Sequence, residues 1–490
     1  MSHPSPLPEA FLAVMSSGCD SRTVLDSTGH NRYGCGWHGR SLALGSCSSN
    51  PPSTPAIAAA YSAWEMHGRS GDGDAWIRDR NAVIRRRLSM RFGGPGSDVI
   101  LTPSGTDVEL LALWLADRDA DRGLTNIIIG PDEIGSGSCL AASGRHFDSL
   151  SPRGDAITPA APVDANWGTR VQCIAIPIRH DDGTPRQLIE INDQVTQTAI
   201  DAATRGDQIV LHVLLHSKTG IFAPDFEAIR RIQKHLADDV TVVIDAAQGR
   251  VRRTVLRRAV EAGDLVSLSG SKFFGGPAFC GALLLSSRRW LNRSLADRGV
   301  LNDAMRAYFH YHQWPEAIAA IAASDTASPA NLGLTLRWIA SLAEMDRFFA
   351  VPNRMRRGIA QAFHEGVRRL GSDHETIDAN TWTVRPPEDL SFSGDTPTVL
   401  PLRLPITDRG ELQELHKHLN FQHGYHLGQA VKIAGDQWAL RVALGASLLS
   451  DVATCELWGA TLDRRVQMLQ DRLSQLGQLL AQWTSAVVSP

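Results

Sequence analysis

The stretch TVVIDAAQGRVRRTVLRRAVEAGDLVSLSGSKFFGGPAFCGALLL (residues 241–285) decides the fold of this chain. Two apolar runs, residues 241–245 and 265–270, are separated by a basic helical segment, and a third run, residues 281–285, follows a glycine-rich turn. Apolar runs that alternate with helical segments are typical of a parallel sheet. Asp245 ends the first predicted strand, and Lys272 lies just beyond the second.

The same alternation begins about 140 residues earlier in the chain. The complete series of predicted strands is VILT (99–102), NIIIG (126–130), QCIAIPI (172–178), IVLHVLLH (209–216), VTVVID (240–245), LVSLSG (265–270) and GALLL (281–285). Helical segments separate most of these strands. The sequence therefore predicts an α/β fold with a mostly parallel seven-stranded sheet covered by helices on both faces.

Length and patterning predict two domains, because 490 residues exceed what one hydrophobic core normally supports. We assign residues 61–325 to a large domain that contains the sheet. Residues 326–490 form a smaller C-terminal α+β domain, which begins with the helical stretch LGLTLRWIASLAEMDRFFA and ends with an amphipathic helix.

Residues 1–60 form an N-terminal segment that is rich in Gly, Ser, Pro and Asn and has little periodicity. It is either a flexible arm or a wall of an active site, and Tyr33, Trp37 and His38 among glycines suit the second alternative. Its start lacks a basic region and a long apolar core, so we expect neither a signal peptide nor a membrane span.

Net charge and cysteine content indicate which binding partners and structural sites are not expected. The formal net charge is −3, which gives no reason to expect nucleic acid or an anionic membrane. The seven cysteines are odd in number, scattered and free of CxxC pairs, so a disulfide framework or a structural zinc site is not expected. These features favour a reducing cytoplasm and no metal.

Asp245 and Lys272 are the two side chains that a pyridoxal phosphate (PLP) enzyme requires. A carboxylate keeps the pyridinium nitrogen protonated, and a lysine amine forms an imine with the aldehyde. The chain has five lysines: Lys218, Lys234, Lys272, Lys417 and Lys432. The other 44 of its 49 basic residues are arginine, which forms no imine, so lysine scarcity makes Lys272 nearly the only usable imine former. A strand-terminal acid can instead cap a turn, so the pair is more informative than Asp245 alone.

A second polar group falls at the same predicted sheet edge, where ligands of parallel α/β sheets bind. Ser104, Gly105 and Thr106 lie between the strand VILT and a helix that begins near Asp107. Backbone N–H groups and hydroxyls at a helix N-terminus can surround a phosphate. Alone, this pattern is more often an N-cap, and its combination with Asp245 and Lys272 is what favours an anion site.

The segment DAAQ (245–248), the spacing of 27 residues from Asp245 to Lys272, and SGSKFFGGPAFCGALLL (269–285) resemble fold-type I PLP enzymes of the class V aminotransferase and cysteine desulfurase group. The similarity is specific over residues 95–290 and thinner over the C-terminal domain. The resemblance implies PLP as cofactor, an α-amino acid as substrate, and a homodimer with its active sites at the subunit interface.

The resemblance also implies roles for the matching residues. The cofactor-binding set would be Ser104, Gly105, Thr106, His216, Ser217, Asp245, Gln248, Ser269, Ser271 and Lys272. Lys272 would carry the imine and Asp245 would contact the pyridine nitrogen. Gln248 and Ser217 would approach the 3-oxygen of the cofactor. Arg441, in WALRVALGA, would pair with the substrate α-carboxylate, which a planar guanidinium matches.

The chain departs from the family at two points, and a third stretch corresponds to a family feature. Ser271 stands where many members have a histidine directly before the lysine. The loop PDEIGSGS (131–138) has no ring to stack on the cofactor, so Glu133 or a small residue would face it. The stretch SDTAS (324–328) lies where related enzymes reach the partner's cofactor phosphate.

The reaction is not fixed by these residues, because transamination, β-elimination, decarboxylation and carbon–carbon cleavage all proceed from a carbanion at Cα and share most of them. Our lead hypothesis is a lyase or carbon–carbon-bond enzyme, of β-elimination, kynureninase-like or decarboxylative aldol type. The alternative is a class V aminotransferase. A persulfide-forming desulfurase is disfavoured, because the one cysteine between Lys272 and Arg441 is Cys280, within a predicted strand. A catalytically silent PLP-binding protein is disfavoured because Asp245, Gln248 and Lys272 are all present.

Overall fold

The computed structural model describes residues 7–37, 41–290, 303–316, 319, 330–454 and 461–488. His38, the stretch SDTAS (324–328) and Cys455 lie outside these residues. The expectations that rest on them therefore stay predictions.

The described chain alternates helices and strands through its first 290 residues. Its α-helices are α1 (Glu9–Ser16), α2 (Thr54–Gly68), α3 (Gly73–Leu88), α4 (Asp107–Ala116), α5 (Ser138–Ala142), α6 (Trp167–Arg170), α7 (Leu188–Thr204), α8 (Phe226–Leu236), α9 (Arg253–Ala262), α10 (Ser287–Trp290), α11 (Asp303–Arg306), α12 (Leu332–Ala350), α13 (Asn353–Asp373), α14 (Arg409–His423), α15 (Ala446–Thr454) and α16 (Leu462–Val488). Its strands are β1 (Leu42–Leu44), β2 (Ser97–Thr102), β3 (Leu124–Ile129), β4 (Val171–Ile176), β5 (Gln208–Leu215), β6 (Phe222–Ala223), β7 (Val240–Asp245), β8 (Leu265–Ser269), β9 (Gly281–Ser286), β10 (Val399–Leu402), β11 (Tyr425–Ala434) and β12 (Gln437–Ala443).

The large sheet confirms the predicted α/β fold. Its order is β2-β9-β8-β7-β5-β3-β4, and the two-residue β6 pairs with β5 outside this path. The neighbours from β8 to β4 pair in parallel, and β9 alone among the seven runs antiparallel to both of its neighbours. All seven predicted strands are present. The short β6 had no pattern in the sequence long enough to predict it.

The strands of the large sheet are apolar because both faces are covered. Every residue of β3, β5 and β8 is buried. Helices α7, α8 and α9 present their apolar sides to this core through residues such as Ile191, Ile229 and Leu256. These strands show no alternation of polar and apolar residues. The helices that connect successive strands provide the crossovers that parallel strands require.

The small sheet joins the two ends of the chain. Its order is β1-β11-β12-β10, and β1 pairs in parallel with β11, with Leu42 opposite Tyr425. The N-terminal segment thus contributes a strand to the sheet of the C-terminal domain. The sequence did not predict β1, because three residues are too few to show a period.

Helix α12 connects these parts. It packs against α1, α2 and α3, and its fully buried Arg337 donates hydrogen bonds to four backbone carbonyls. The acceptors are Phe279 O at 2.7 Å, Met15 O at 2.9 Å, Ser17 O at 2.5 Å and Gly18 O at 3.2 Å. A buried guanidinium is costly unless its donors are satisfied, so this arginine fixes the N-terminal segment against the turn that follows Lys272.

Among the described helices, none combines the length and apolarity needed to cross a membrane.

Candidate active site

A cavity of about 820 Å³ lies at the carboxyl ends of the parallel strands. Three parts of the chain enclose it: the edge of the large sheet, the N-terminal segment, and the small sheet with α14. Seven of the predicted site residues line it, namely Ser104, Gly105, Thr106, Asp245, Ser269, Lys272 and Arg441. The strand ends therefore bring together residues that are up to 337 positions apart in the chain.

Asp245 and Lys272 share this cavity because β7 and β8 are parallel neighbours. Asp245 lies opposite Ser267, and Lys272 follows β8 by three residues. The Asp245 carboxylate accepts a hydrogen bond from Ala247 N at 2.9 Å, which orients it at the strand end. Burial lowers the pKa of Lys272, and the Asp245 charge opposes that shift. A lysine held in this way is more nucleophilic near neutral pH than an exposed lysine.

Glu109, on α4, also lines the cavity and was not predicted. Its side-chain carboxyl oxygen lies 3.2 Å from His212 Nε2. Burial, together with the charge of Asp245, raises the pKa of Glu109 well above its usual range. Burial also lowers the pKa of His212 to about 4. Burial therefore disfavours the charged form of both partners, which limits the negative charge beside Asp245.

Four of the five lysines line the cavity, so lysine scarcity does not single out Lys272 as predicted. Lys417 and Lys432 lie at the exposed mouth, whereas Lys218 lies deeper. The Lys218 amine forms no hydrogen bond or ion pair with any described residue. The backbone N–H of Lys218 donates to Glu133 O at 3.0 Å. Burial, helped by the charges of Arg441 and Lys272, lowers the pKa of Lys218 to about 7. The cavity thus holds a second amine that is partly neutral at pH 7.

The residues Ser104–Thr106 form a compact turn before α4. Ser104 donates from its backbone N and its hydroxyl to one carboxyl oxygen of Asp107, at 2.6 and 2.7 Å. Thr106 N in turn donates to Ser104 Oγ at 3.1 Å. Burial and the nearby Asp20 raise the pKa of Asp107 to about 7. Ser104 therefore organises the turn, and its hydroxyl proton is already engaged.

Four predicted cofactor-binding residues do not line the cavity, although they lie in the loops that form it. Ser217 donates to a carboxyl oxygen of Glu133 at 2.5 Å, and Gln248 donates to Cys47 O at 3.0 Å. Ser271 Oγ lies 3.0 Å from Ser269 Oγ. These local hydrogen bonds direct the side chains into the wall, and their roles toward a cofactor stay predictions.

His216 is the fourth of these residues. Its backbone has φ of +82°, in the left-handed region that favours glycine. Its ring packs edge-on to Phe222 with centroids 5.4 Å apart. Burial lowers the pKa of His216 to about 3. The imidazole is therefore neutral, and it packs in the wall behind the cavity.

Of the two alternatives for the loop of residues 131–138, Glu133 does not line the cavity, whereas small residues do, namely Gly135, Ser136 and Ser138. The Glu133 carboxylate forms an ion pair of 2.5 Å with Arg179 and accepts further hydrogen bonds from Ser217 and Thr219. The next residue, Ile134, lines the cavity instead. An aliphatic side chain therefore occupies this loop where the sequence offered no aromatic ring.

The N-terminal segment supplies the opposite wall. Ser48 accepts a hydrogen bond of 2.9 Å from Arg441 Nη2, and Gln429 O accepts from Arg441 Nε and Nη2 at 3.1 and 2.7 Å. Arg441 is 2% exposed, and its Nη1 has no hydrogen-bond partner among the described residues. A buried guanidinium nitrogen that is left unpaired beside a cavity is suited to an anionic ligand.

Two cysteines have contrasting positions. Cys280 is fully buried at the start of β9 and does not line the cavity, as its strand context predicted. Cys47 does line it, on the N-terminal segment. The sequence search considered only cysteines between Lys272 and Arg441, so it missed a thiol that reaches the cavity from the other end of the chain.

Comparisons with known proteins find the same fold. No family model matches the chain, and no curated protein matches its sequence. Three solved structures are similar over most of their length. A lysine-to-alanine mutant of C-DES, with glycine covalently linked to the PLP cofactor, is 14% identical with a TM-score of 0.55 and covers 89% of this chain and 96% of that chain.

The apo structure of cysteine desulfurase from Thermococcus onnurineus NA1 is 14% identical with a TM-score of 0.52, covering 89% of this chain and 95% of that chain. 4-Hydroxyphenylacetaldehyde synthase from Rhodiola rosea is 13% identical with a TM-score of 0.51, covering 92% and 83%. These likenesses show that the chain has the fold of fold-type I PLP-dependent enzymes, as the sequence predicted.

Proposed function

We propose that the protein is a PLP-dependent enzyme that acts on an α-amino acid. The observation that carries the proposal is the shared cavity of Lys272, Asp245 and Arg441, in which the buried Arg441 Nη1 has no partner. Each supplies one requirement: an amine for the aldehyde, a carboxylate for the pyridinium nitrogen, and a guanidinium for the α-carboxylate. The fold of the similar structures supports this assignment.

The residues of the cavity fit the cofactor. Lys272 and Asp245 would hold its aldehyde and its ring nitrogen, and Gly105, Thr106 and Ser269 would lie near its phosphate. Ile134 offers an apolar surface for one face of the ring. When bound, PLP withdraws electrons from the α-carbon of an amino acid joined to it.

Lys218 supports a lyase or carbon–carbon-bond reaction as the lead reaction class. A departing fragment needs a proton, and an amine with a pKa of about 7 can both donate and accept one at neutral pH. Lys218 lines the cavity, and burial lowers its pKa, with the nearby charges of Arg441 and Lys272 adding to the shift. It is therefore suited to proton transfer on the side-chain portion of a substrate.

An aminotransferase is the second candidate, and the mouth of the cavity favours it. Arg32, Arg409 and Lys432 line the cavity and are exposed, and none of them forms an ion pair within the described chain. An aminotransferase accepts two amino acids in turn, and cations at the mouth could recognise an acidic side chain of one of them.

Persulfide-forming desulfurase activity remains disfavoured, although Cys47 lines the cavity. A cysteine that accepts sulfur and passes it on must reach a partner outside the site. Cys47 is 0% exposed. Its Sγ is also packed so closely against β11 that a Cβ on Gly428 would come within 2.6 Å of it. This packing leaves no room for a mobile sulfur carrier.

Two further proposals concern the context of the enzyme. We infer a homodimer, because fold-type I active sites generally lie at a subunit interface. We also infer a reducing compartment such as the cytoplasm, because the six cysteines of the described residues are all free thiols.

The experiment that tests the function begins with PLP added to the cofactor-free protein. We expect an absorbance band at roughly 410–430 nm that Lys272→Ala abolishes and Lys234→Ala leaves intact. A panel of amino acids is then incubated with the protein, and product masses are determined. Release of ammonia, CO₂ or a side-chain fragment without an added 2-oxo acid indicates a lyase, whereas transfer of the amino group to an added 2-oxo acid, with no free ammonia, indicates an aminotransferase. A protein that remains colourless with added PLP would refute the proposal.

A further inference from the structure

Arg22 lies on the N-terminal segment and lines the cavity beside the turn before α4. Nothing in the sequence pattern pointed to it. We propose that Arg22 binds the phosphate of PLP, in place of the histidine that many related enzymes carry where this chain has Ser271. This inference rests on the proposed function and adds a cofactor ligand from a part of the chain outside the large domain.

The guanidinium of Arg22 contacts both hydroxyls of the turn. Nη1 donates to Thr106 Oγ1 at 3.3 Å, and Nη2 donates to Ser104 Oγ at 3.2 Å. These contacts join residues 82 to 84 positions apart. We call Ser104–Thr106, with Ser269 and Ser271, the phosphate cup. A cation therefore contacts this cup directly, at the N-terminal end of α4, where the helix dipole also favours an anion.

Asp20 fixes the orientation of Arg22. Its two carboxyl oxygens accept from Nε at 2.7 Å and from Nη2 at 2.6 Å, which occupies one edge of the guanidinium. Of the three remaining protons, one on Nη1 and one on Nη2 are donated to the Thr106 and Ser104 hydroxyls. The bidentate pair with Asp20 holds these two donors in a fixed fork, and a phosphate at the turn would accept them in place of the hydroxyls.

Aromatic rings hold the same guanidinium in place. Its central carbon lies 4.8 Å from the centroid of Phe279 and 5.5 Å from that of Phe147. Arg22 is 6% exposed, so it is nearly fully desolvated and is held before any ligand arrives. A preorganised donor gains more from an anion than a flexible one, because little side-chain entropy remains to be lost.

The cup needs such a donor because its hydroxyls are largely engaged. The Ser104 hydroxyl donates to Asp107, and Ser271 Oγ lies 3.0 Å from Ser269 Oγ. Burial and Asp20 raise the pKa of Asp107 to about 7, so this carboxyl is partly protonated beside the cup. Arg22 is the cation that hydrogen-bonds to the cup, and it supplies the charge-assisted donors that Ser271 cannot.

The turn that carries Lys272 packs against the same cup. A Cβ on Gly281, at the start of β9, would come within 2.4 Å of Ser104 O and of Thr102 Oγ1. On the other side, Cys19 Sγ lies 3.7 Å from Pro103 O. The segment that bears Arg22 and the segment that follows Lys272 therefore both contact the residues around Ser104, so a single molecule can reach both.

The test compares PLP with pyridoxal, which has the same ring and aldehyde but no phosphate. Both are titrated into cofactor-free wild-type protein and into Arg22→Gln, with binding followed by absorbance and tryptophan fluorescence. We expect Arg22→Gln to weaken PLP binding roughly ten- to a hundredfold, the loss typical of a charge-assisted hydrogen bond, and to change pyridoxal binding less than about threefold.

Two further variants make the comparison specific. Arg22→Lys keeps the charge but not the fork, and we expect an intermediate loss for PLP; it also carries the test if Arg22→Gln does not fold by circular dichroism. Arg32→Gln removes a cavity-lining charge at the exposed mouth, and we expect it to leave the ratio of PLP to pyridoxal affinity unchanged.

Other outcomes would overturn the inference. An equal loss for PLP and pyridoxal would make Arg22 a structural residue only. An unchanged affinity ratio, with weaker binding of acidic amino acids alone, would assign Arg22 to a substrate anion instead. If wild-type protein binds no PLP, the proposed function itself fails, and that result is distinct from failure of the Arg22 assignment.

Discussion

Two of the three parts that enclose the cavity differ in how they are built: the edge of the large sheet (the sheet-edge wall) and the N-terminal segment (the N-terminal wall). The sheet-edge wall carries Asp245 and Lys272 at the ends of adjacent parallel strands, so backbone topology alone brings them together. The N-terminal wall carries Arg22 and Ser48 on irregular segments, which side-chain hydrogen bonds fasten to distant residues. We infer that the first wall provides the chemistry and the second wall positions the groups that hold phosphate and substrate.

The largest expected effect comes from a substitution in the sheet-edge wall. Asp245→Asn removes the carboxylate from the end of β7, and we expect kcat to fall by roughly 10²–10³-fold because a preorganised charge is lost from a desolvated site. Glu109→Gln is the matched control. It replaces a second buried carboxyl of the cavity, whose pKa is raised by burial, so we expect a loss of less than about tenfold. Steady-state kinetics on the best substrate of the panel compares the two, and equal losses would contradict the account.

The next largest effect concerns Arg441, which lies on β12 and donates a hydrogen bond to Ser48 of the N-terminal wall. Arg441→Gln removes the guanidinium whose Nη1 is unpaired, and we expect KM for the amino acid to rise roughly ten- to a hundredfold with PLP affinity unchanged. Arg403→Gln, at an exposed arginine that follows β10, should leave KM within about twofold. An unchanged KM in Arg441→Gln would show that another residue binds the carboxylate.

A smaller effect tests the positioning role of the N-terminal wall. Ser48→Ala removes the acceptor 2.9 Å from Arg441 Nη2, and we expect KM to rise by about two- to tenfold, with kcat nearly constant. Ser17→Ala is the control on the same segment, since Ser17 Oγ donates to Val14 O and neither residue lines the cavity. If Ser48→Ala lowers kcat more than it raises KM, the N-terminal wall takes part in the chemistry.

The smallest effect is one of stability and concerns Lys218. Its pKa is about 7 in the folded protein and 10.5 in its ordinary state, so between these values the unfolded chain binds more protons and stability rises with pH. Lys218→Met removes this penalty. We expect the Tm of the cofactor-free variant to exceed that of wild type by about 2 °C at pH 7, and the difference to shrink at about pH 9.5.

Lys234→Met provides the control for that measurement. Lys234 is exposed on α8, so we expect no pH-dependent difference in Tm. Calorimetry at the two pH values measures all three proteins. A stabilisation by Lys218→Met that is the same at both pH values would show that the amine is protonated throughout, as in an exposed lysine.

The comparison of the walls also explains what the sequence could predict. Asp245 and Lys272 were predicted because each follows a clear apolar strand, and the parallel order of such strands is a general rule. Ser217, Gln248 and Ser271 were assigned through resemblance. Their side chains follow local hydrogen bonds to Glu133, Cys47 and Ser269, which no spacing in the sequence encodes.

The sequence left open whether the N-terminal segment is a flexible arm or a wall of the active site, and it did not indicate which of its residues line the cavity, because these contacts depend on tertiary packing. Strand β1 is three residues long and pairs with β11, whose residue Tyr425 lies opposite Leu42. Arg22 is one of 44 arginines, so its residue type carried no signal. The lysines did carry a signal for the cavity as a whole. In a chain whose other basic residues are arginine, four of the five lysines line the cavity.

Because four lysines line one cavity, the identity of the reactive amine is the central claim. The direct measurement reconstitutes the protein with PLP, fixes the cofactor to its lysine with borohydride, and locates the added mass by peptide mass spectrometry. The account predicts the phosphopyridoxyl group on the peptide that contains Lys272. The same mass on Lys218 instead of Lys272, or on no lysine of the cavity, would contradict it.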